Sequence, residues 1–235
     1  MTARNLFQAG RLNEAVQALG SELRNDPTDA QRRTFLFELL CFAGEFDRAE
    51  KQLDILADLS KEAGMGSLVY RSALHAERLR REMFEKQMFP ITSAKDTGGV
   101  INGQPFETVS DADPRIGARL EVFAAGSYMW LPFEHIASIE IQPPKRLRDL
   151  LWTPALLTTG PACKGMELGE VLLPVLTPFA SKHADDLVRL GRKTEWEGDE
   201  TPIPVGQKMF LVDGGEFPIL EVRRLEFAPS AATAN

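Results

Sequence analysis

The sequence predicts an α+β protein in which helical hairpins come first and a mostly antiparallel β domain with short helices follows. Glycine and proline interrupt regular structure, and residues 1–90 contain only 5 Gly and 2 Pro, whereas residues 91–235 contain 13 of each. The first part also contains a repeat at helical spacing. The second part consists of short apolar runs that are separated by turn residues, the pattern of β-hairpins.

The repeat in the first part has a period of 34 residues. Residues 9–15 (AGRLNEA) and 43–49 (AGEFDRA) share Ala-Gly, a large apolar residue, Asn or Asp, and a closing Ala. A period of 34 residues is typical of tetratricopeptide repeats. Gly10 and Gly44 allow the positive φ with which a chain leaves a helix. Phe37 stands where the repeat usually has a small residue, so we predict degenerate, tetratricopeptide-like helical hairpins.

Five helices follow from this pattern, as two hairpins and one closing helix. Their predicted bounds are 2–9, 12–25, 29–43, 46–60 and 66–86. Pro27 ends the first hairpin, and Asp29 is placed to cap the next helix. The last helix is predicted to open after Gly64 and Gly66.

The second part is predicted to be a sheet of short strands. Residues 120–123 and 128–131 surround an Ala-Gly turn, and residues 208–212 and 216–222 surround Asp-Gly-Gly, which is the clearest hairpin signal in the chain. Single strands are predicted at 136–142 and 170–176, with helical turns at 145–152. The predicted domain organisation is a helical domain at 1–90, a linker at 91–103, a β domain at 104–227 and a disordered tail at 228–235.

Composition excludes several classes of function. The net charge is −7, with 27 Lys and Arg against 34 Asp and Glu, which argues against a protein that wraps nucleic acid or adheres to anionic lipid. No apolar run is long enough for a membrane span, and the first residues lack the pattern of an export signal. We therefore expect a cytoplasmic protein with neither nucleic acid nor membrane as a partner.

No catalytic or metal-binding motif is evident. His75, His135 and His183 are far apart in sequence and lack ligand-spaced partners. Residues 98–103 are glycine-rich but lack the pattern of a phosphate-binding or dinucleotide-binding loop. We expect no enzymatic activity, no cofactor and no metal, and we expect Cys41 and Cys163 to be reduced thiols.

Stacked helical hairpins usually bind a peptide or a helix in a concave groove. The predicted partner-binding side chains lie on the third and fifth helices, with the two arginines as orienting charges. They are Thr34, Phe35, Glu38, Phe42, Arg71 and Arg78. Two alternatives stay open: the charges of the last helix also form i,i+4 pairs typical of a solvated face, and Trp130, Trp152 or Trp196 of the β domain could supply the contact instead.

Several segments together resemble one family along most of the chain. They are LNEA at 12–15, RDLLWTPA at 148–155, VLLPVL at 171–176, RLGRKTEW at 189–196 and GQKMFLVD at 206–213. In combination they resemble the ImpE/TagJ accessory proteins of bacterial type VI secretion. The resemblance implies a non-enzymatic adaptor that binds the N-terminal helical segment of the small contractile-sheath subunit. It also implies a link between the sheath and the ATPase that disassembles it.

A second hypothesis belongs to a different class. An enzyme or a small-ligand-binding protein could have its site between the helical and β parts, where unassigned acids, histidines and tryptophans would meet. Binding of the sheath peptide separates this hypothesis from the adaptor.

Overall fold

A computed structural model describes residues 1–59, 61–90, 94–163 and 167–228, with the backbone alone for 61–63 and 162. Within these residues the α+β prediction is confirmed, because five consecutive helices precede a mostly antiparallel β part with short helical turns. The predicted tail, 228–235, lies outside the described residues except for Ala228. None of the described helices is long and apolar enough to cross a membrane.

The helices agree closely with the repeat pattern. They are α1 Ala3–Gln8, α2 Leu12–Asn25, α3 Ala30–Phe42, α4 Phe46–Leu59 and α5 Lys61–Glu85. Gly10 and Gly44 have φ of 75° and 74°, as the turns between paired helices require. Asp29 caps α3 by accepting the Arg32 backbone N–H at 2.8 Å. The predicted start of α5 was wrong, because Gly64 and Gly66 both lie inside it.

The β part begins earlier in the chain than the predicted domain boundary. Its strands are β1 Gly99–Ile101, β2 Gln104–Phe106, β3 Val109–Asp111, β4 Arg119–Ala124, β5 Ser127–Pro132, β6 Ile136–Ile141, β7 Trp152–Thr159, β8 Gly169–Pro174, β9 Glu195–Glu197, β10 Ile203–Val205, β11 Met209–Val212, β12 Gly215–Pro218 and β13 Arg224–Phe227. Residues 99–101 belong to the predicted linker, yet they pair with the last strand, β13. This part of the linker is therefore part of the sheet.

One eight-stranded sheet organises the β part, in the order β2-β1-β13-β6-β7-β8-β4-β5. Its pairings are antiparallel. A three-stranded sheet, β12-β11-β3, and the small β9–β10 ribbon complete it. Both predicted hairpins, β4–β5 and β11–β12, are present. Helical turns were predicted at 145–152, and the structure has one 3₁₀ turn there, Leu147–Leu150, because β7 starts at Trp152.

The helices and the sheet share one hydrophobic core. Phe123, Leu151 and Trp152 of the β part are buried in the same cluster as Phe37 and Leu74 of the helices. The ring centroids of Phe37 and Trp152 are 6.5 Å apart. Because these β residues pack against α3, they fill much of the face on which the repeat was predicted to offer a groove.

A buried cluster of ion pairs also joins α5 to the sheet. Arg80 donates to both carboxylate oxygens of Glu121, at 2.7 and 2.8 Å, and Lys208 bridges Glu121 and Asp111. Glu77 accepts from Arg80 at 3.2 Å. Burial raises the pKa of Asp111 to about 6 against the opposing effect of Lys208, whereas for Glu121 the two cations outweigh burial and lower the pKa. Removal of either cation would leave a buried carboxylate without compensation.

Candidate partner-binding groove

The N-terminal half of α5 exposes an apolar stripe. Met65, Leu68 and Val69 are 75%, 63% and 53% exposed. Their spacing of i, i+3 and i+4 places the three side chains on one face of the helix. Isolated exposed apolar residues are common, but three neighbouring ones form a patch of the kind that binds partners.

Val69, the last residue of this stripe, also lines a cleft between α5 and the eight-stranded sheet. The cleft has a volume of about 600 Å³, and Val69 and Tyr70 form its helical wall. Its floor contains Leu156 of β7 and Leu172 of β8, and Leu156 is 48% exposed. We call the cleft together with the stripe the α5–sheet groove.

One end of the groove carries acidic side chains. The strand register places Glu140 of β6 and Glu170 of β8 on either side of Leu156, in one row across three strands. Cross-strand neighbours in such a row lie about 5 Å apart. Arg224 approaches Glu140 at 3.5 Å, whereas Glu170 has no ion-pair partner among the described residues.

The other end carries basic side chains from the segment before β7. The Arg148 guanidinium lies over the Tyr70 ring, 4.5 Å from its centroid, and the buried Nε of Arg148 has no hydrogen-bond partner in the described part of the chain. Asp149 accepts the backbone N–H groups of Lys145 and Arg146, both at 2.9 Å, which holds this segment in place. A second hollow of about 250 Å³ adjoins this end and is lined by Thr34, Tyr70, Arg146 and Arg148 among others.

The residues predicted on α3 occupy different environments. Thr34 faces the second hollow, and its hydroxyl donates to the Ala30 carbonyl at 2.8 Å. Phe35 is partly buried and packs edge-to-face against Phe7. Glu38 and Phe42 are 7% and 1% exposed, so neither is available to a partner in this structure.

The burial of Glu38 has a chemical consequence. Burial raises the pKa of this carboxyl to about 7, against the opposing effect of the nearby Arg148 charge. The β segment that carries Arg148 thus covers the face of α3 on which a partner was expected. The pattern of the repeat alone could not reveal this intramolecular cover.

The predicted arginines of α5 lie about two helical turns apart, and both bind carboxylates of α4. Arg71 donates to Asp54 at 2.6 Å, and Arg78 donates to Asp47 and Glu50 at 2.9 and 2.8 Å. About a third of each arginine side chain is exposed, at 32% and 36%. The solvated-face alternative accounts for these contacts, although the partners lie on α4 and not at i,i+4 within the helix.

The three tryptophans differ in their surroundings. Trp152 is 4% exposed, and Trp130 stacks on Phe89 with ring centroids 5.6 Å apart. Trp196 lies on the β9–β10 ribbon and is 39% exposed. Of the three, only Trp152 lines the α5–sheet groove, and it does so from the core side.

The unassigned acids and histidines do not assemble a metal centre in the described residues. His183 comes closest, with its Nε2 at 3.3 Å from Glu195 and 3.6 Å from Glu197. Its Nδ1 accepts the backbone N–H of Asp185 at 3.0 Å. These contacts fasten the β9–β10 ribbon to the preceding loop, and they lie outside the set of residues that line the groove.

Residues 103–226 match the family model described as ImpE protein. A relative from Pseudomonas aeruginosa, named type VI secretion system accessory component TagJ, is 35% identical over 99% of this chain and 93% of its own length. The chain belongs to the ImpE family. A solved structure, protein VPA1032 from Vibrio parahaemolyticus, matches 99% of both chains with a TM-score of 0.85 at 24% identity, and supports the fold alone.

Membership of the ImpE family and the similarity to TagJ support an accessory role in type VI secretion.

The groove residues were missed by sequence reasoning, although a signal was present. Met65, Leu68 and Val69 have the spacing of an amphipathic helix, but the neighbouring glycines favour a helix start at this point. The sheet floor could not be found in this way, because Leu156 and Leu172 become neighbours only through strand pairing.

Proposed function

We propose that this ImpE-family protein is an adaptor of type VI secretion that holds the N-terminal helix of the small contractile-sheath subunit in the α5–sheet groove. The observation that carries the proposal is the exposed apolar stripe of Met65, Leu68 and Val69, which reaches an open cleft with an apolar floor through Val69. An amphipathic helix in such a groove buries apolar side chains at i, i+3 and i+4 from both sides.

The shape of the groove favours a helix over an extended strand. An added strand would pair with a free sheet edge, whereas the groove floor is the middle of the sheet, where β7 and β8 are already paired on both sides. Side chains of a partner would therefore meet the face of the sheet and the wall of α5. This arrangement needs a partner that presents one apolar stripe, as an amphipathic helix does.

The choice of partner rests on the family. The name of the Pseudomonas aeruginosa relative describes an accessory component of the secretion system, and the resemblance of the sequence implies the sheath subunit as the bound protein. The groove occupies one side of the molecule, which leaves other surfaces for the disassembly ATPase. The adaptor would thereby link the sheath to that ATPase.

Of the residues predicted from sequence, Thr34 belongs to the proposed surface, because it faces the hollow beside Tyr70. Arg71 and Arg78 lie on the same helix and would contribute charge at its edge after exchanging their α4 partners. Phe35 is proposed only as support for α3, since its ring packs on Phe7.

The test is a binding measurement on the full chain with a fluorescent peptide that carries the N-terminal helix of the small sheath subunit from the same organism. Leu68→Asp and Val69→Asp place a charge in the stripe and are expected to weaken binding at least tenfold, because the charge must be desolvated in the complex. Met88→Asp is the matched control, since Met88 is 66% exposed but lies outside the groove.

Two results would contradict the adaptor proposal. The first is an absence of peptide binding at tens of micromolar with the wild-type chain. The second is equal binding by the two stripe variants, the control and the wild type.

The volume of the cleft supports one second candidate, a small-ligand site between the helical and β parts. About 600 Å³ lies within the usual range of ligand pockets, roughly 300–1,000 Å³. Under this alternative, small molecules raise the melting temperature of the wild type but not of Leu156→Asp, and the sheath peptide does not bind. A sheath peptide that binds and competes for the same cleft would contradict it.

A further inference from the structure

We propose that the α5–sheet groove selects its helix by charge: the bound helix carries acidic side chains at the end over Arg146 and Arg148, and basic side chains at the end over Glu140 and Glu170. This inference rests on the proposed use of the groove for a helix, and it specifies the chemistry of the occupant. Opposite charges at the two ends of one apolar groove carry the argument.

The basic end is built to receive an anion. Arg146 and Arg148 both line the hollow beside Tyr70, and neither has a carboxylate within ion-pair distance among the described residues. The Arg148 guanidinium lies over the Tyr70 ring, 4.5 Å from its centroid, and its Nε lacks a hydrogen-bond partner in the described structure. Planar guanidinium groups held in this way bind carboxylates with little further loss of conformational freedom.

Asp149 offsets only part of this positive charge. Its carboxylate caps the turn by accepting two backbone N–H groups at 2.9 Å, so it is engaged with the segment itself. Glu38, which lies beneath Arg148, has a pKa raised to about 7 by its burial, so a large fraction of it is neutral at physiological pH. Arg148 in the cleft and Arg146 in the adjoining hollow therefore leave this end with a net positive charge.

The acidic end is formed by the Glu140–Leu156–Glu170 row. Arg224 approaches only Glu140, at 3.5 Å, and is shared with Glu226 at 2.9 Å. A basic side chain on a docked helix could bridge to Glu170 while its neighbours pack on Leu156. The row thus combines an apolar contact with a negative charge, as the rim of a helix-binding groove requires.

The separation of the two ends sets the spacing of charges on the partner. Trp152, next to the basic segment, lies four residues before Leu156 on β7, which corresponds to about 13 Å at 3.3 Å per residue. A helix rises 1.5 Å per residue, so about nine residues span this distance. The opposite charges of the bound helix are expected on one face and at least about two turns apart.

The experiment uses the full chain and two synthetic 18-residue peptides with identical composition and identical apolar positions. In the segregated peptide, lysines occupy one end of the polar face and glutamates the other; in the interspersed peptide, they alternate. Net charge and hydrophobicity are thereby matched. Because a free peptide can enter in either direction, its affinity reports charge segregation and not the order of the charges along the chain.

We expect the segregated peptide to bind about tenfold more tightly at 20 mM salt, and the difference to fall toward zero at 500 mM salt, where charges are screened. Arg146→Glu and Glu170→Lys should each weaken binding of the segregated peptide threefold to tenfold. Arg24→Glu and Glu216→Lys reverse exposed charges outside the groove, and these controls should bind like the wild type.

Equal affinity of the two peptides, no binding by either peptide, or groove variants that behave like the controls would overturn the inference. If the sheath peptide binds and is sensitive to Leu68→Asp while the charge variants have no effect, the charge selection fails and the adaptor proposal stands. If the sheath peptide does not bind but the segregated peptide is preferred, the adaptor proposal fails and the charge selection of the groove stands.

Discussion

The two halves of α5 follow the same helical period but have opposite surroundings. In the C-terminal half, Leu74 and Phe84 are 0% and 3% exposed, and Arg80 is buried against Glu121 of the sheet. In the N-terminal half, Met65 and Leu68 are exposed by more than half of their surface. The C-terminal half is covered by the chain itself, and the N-terminal half borders the α5–sheet groove.

This difference shows why apolar pattern alone does not identify a core. Both halves carry apolar residues at helical spacing, but in the second half Arg80 binds Glu121 of β4 and Phe84 packs on Trp130 of β5. An apolar stripe that the chain leaves exposed to water raises the free energy of the protein. Binding of a partner that covers the stripe lowers that free energy. We therefore expect substitutions in the C-terminal half of α5 to change the stability of the protein, and substitutions in the N-terminal half to change partner binding.

The largest expected effect is on the buried ion pairs that anchor the C-terminal half. Lys208→Met leaves Asp111 and Glu121 buried without their shared cation, and we expect it to lower the free energy of unfolding by about 3–5 kcal/mol. Urea denaturation measures this loss. A loss below 1 kcal/mol would show that the cluster does not hold the sheet against α5.

A matched pair of leucines tests the two halves directly. Leu74→Ala removes a fully buried side chain and is expected to cost about 2–4 kcal/mol, whereas Leu68→Ala, at 63% exposure, should change stability by less than about 0.5 kcal/mol. Urea denaturation of both variants gives the comparison. Equal losses would mean that the N-terminal half is covered in solution.

The buried carboxyl of Glu38 predicts a dependence of stability on pH. Its pKa is raised from 4.5 to about 7, first by burial, and the positive charges of Arg148 and Arg146 oppose this rise. Between these two values the folded protein binds more protons than the unfolded chain, so the contribution of Glu38 to stability falls as pH rises from about 4.5 to about 7.

Glu38→Gln removes this dependence. Relative to the wild type, the variant should gain up to about 3 kcal/mol between pH 4.5 and pH 8, as measured by urea denaturation at each pH. A difference between variant and wild type that is constant with pH would contradict the raised pKa. Glu14→Gln, at an exposed position of α2, serves as the control.

The smallest expected effects concern the exposed ion pairs between α4 and α5. Arg71→Ala and Arg78→Ala each remove contacts with carboxylates of α4, but the arginines are about a third exposed, at 32% and 36%. Such pairs contribute about 0–1 kcal/mol. A loss above 2 kcal/mol in thermal or urea unfolding would place these arginines among the structural anchors of α5.

The helices were predictable because their signals are local. The turns at Gly10 and Gly44, the cap at Asp29 and both β-hairpins depend on residues close in sequence. The linker was predicted too long, because Gly99–Ile101 pairs both with β13, more than a hundred residues later, and with β2 across the Asn102-Gly103 turn. The pairing with β13 has no local signal, but the Asn-Gly dipeptide is a local hairpin signal that sequence reasoning missed.

The candidate site shows the same limit more strongly. In an isolated repeat, Glu38 and Phe42 would have the positions of groove residues. In this protein Arg148, Leu151 and Trp152 of the β part pack over that face of α3. The acidic row of Glu140 and Glu170 likewise exists only in the paired sheet. Sequence periodicity identified a helical scaffold, and tertiary packing decided which of its faces remained open.

Hydrogen exchange of α5 in the full chain, with and without the sheath peptide, shows which half of the helix the partner covers. We expect saturating peptide to slow amide exchange around Leu68 and Val69 and on the groove floor around Leu156, with little change around Leu74 and Arg80, which the sheet already covers. Protection confined to the C-terminal half of α5, or to the buried face of α3 around Phe42, would contradict this expectation.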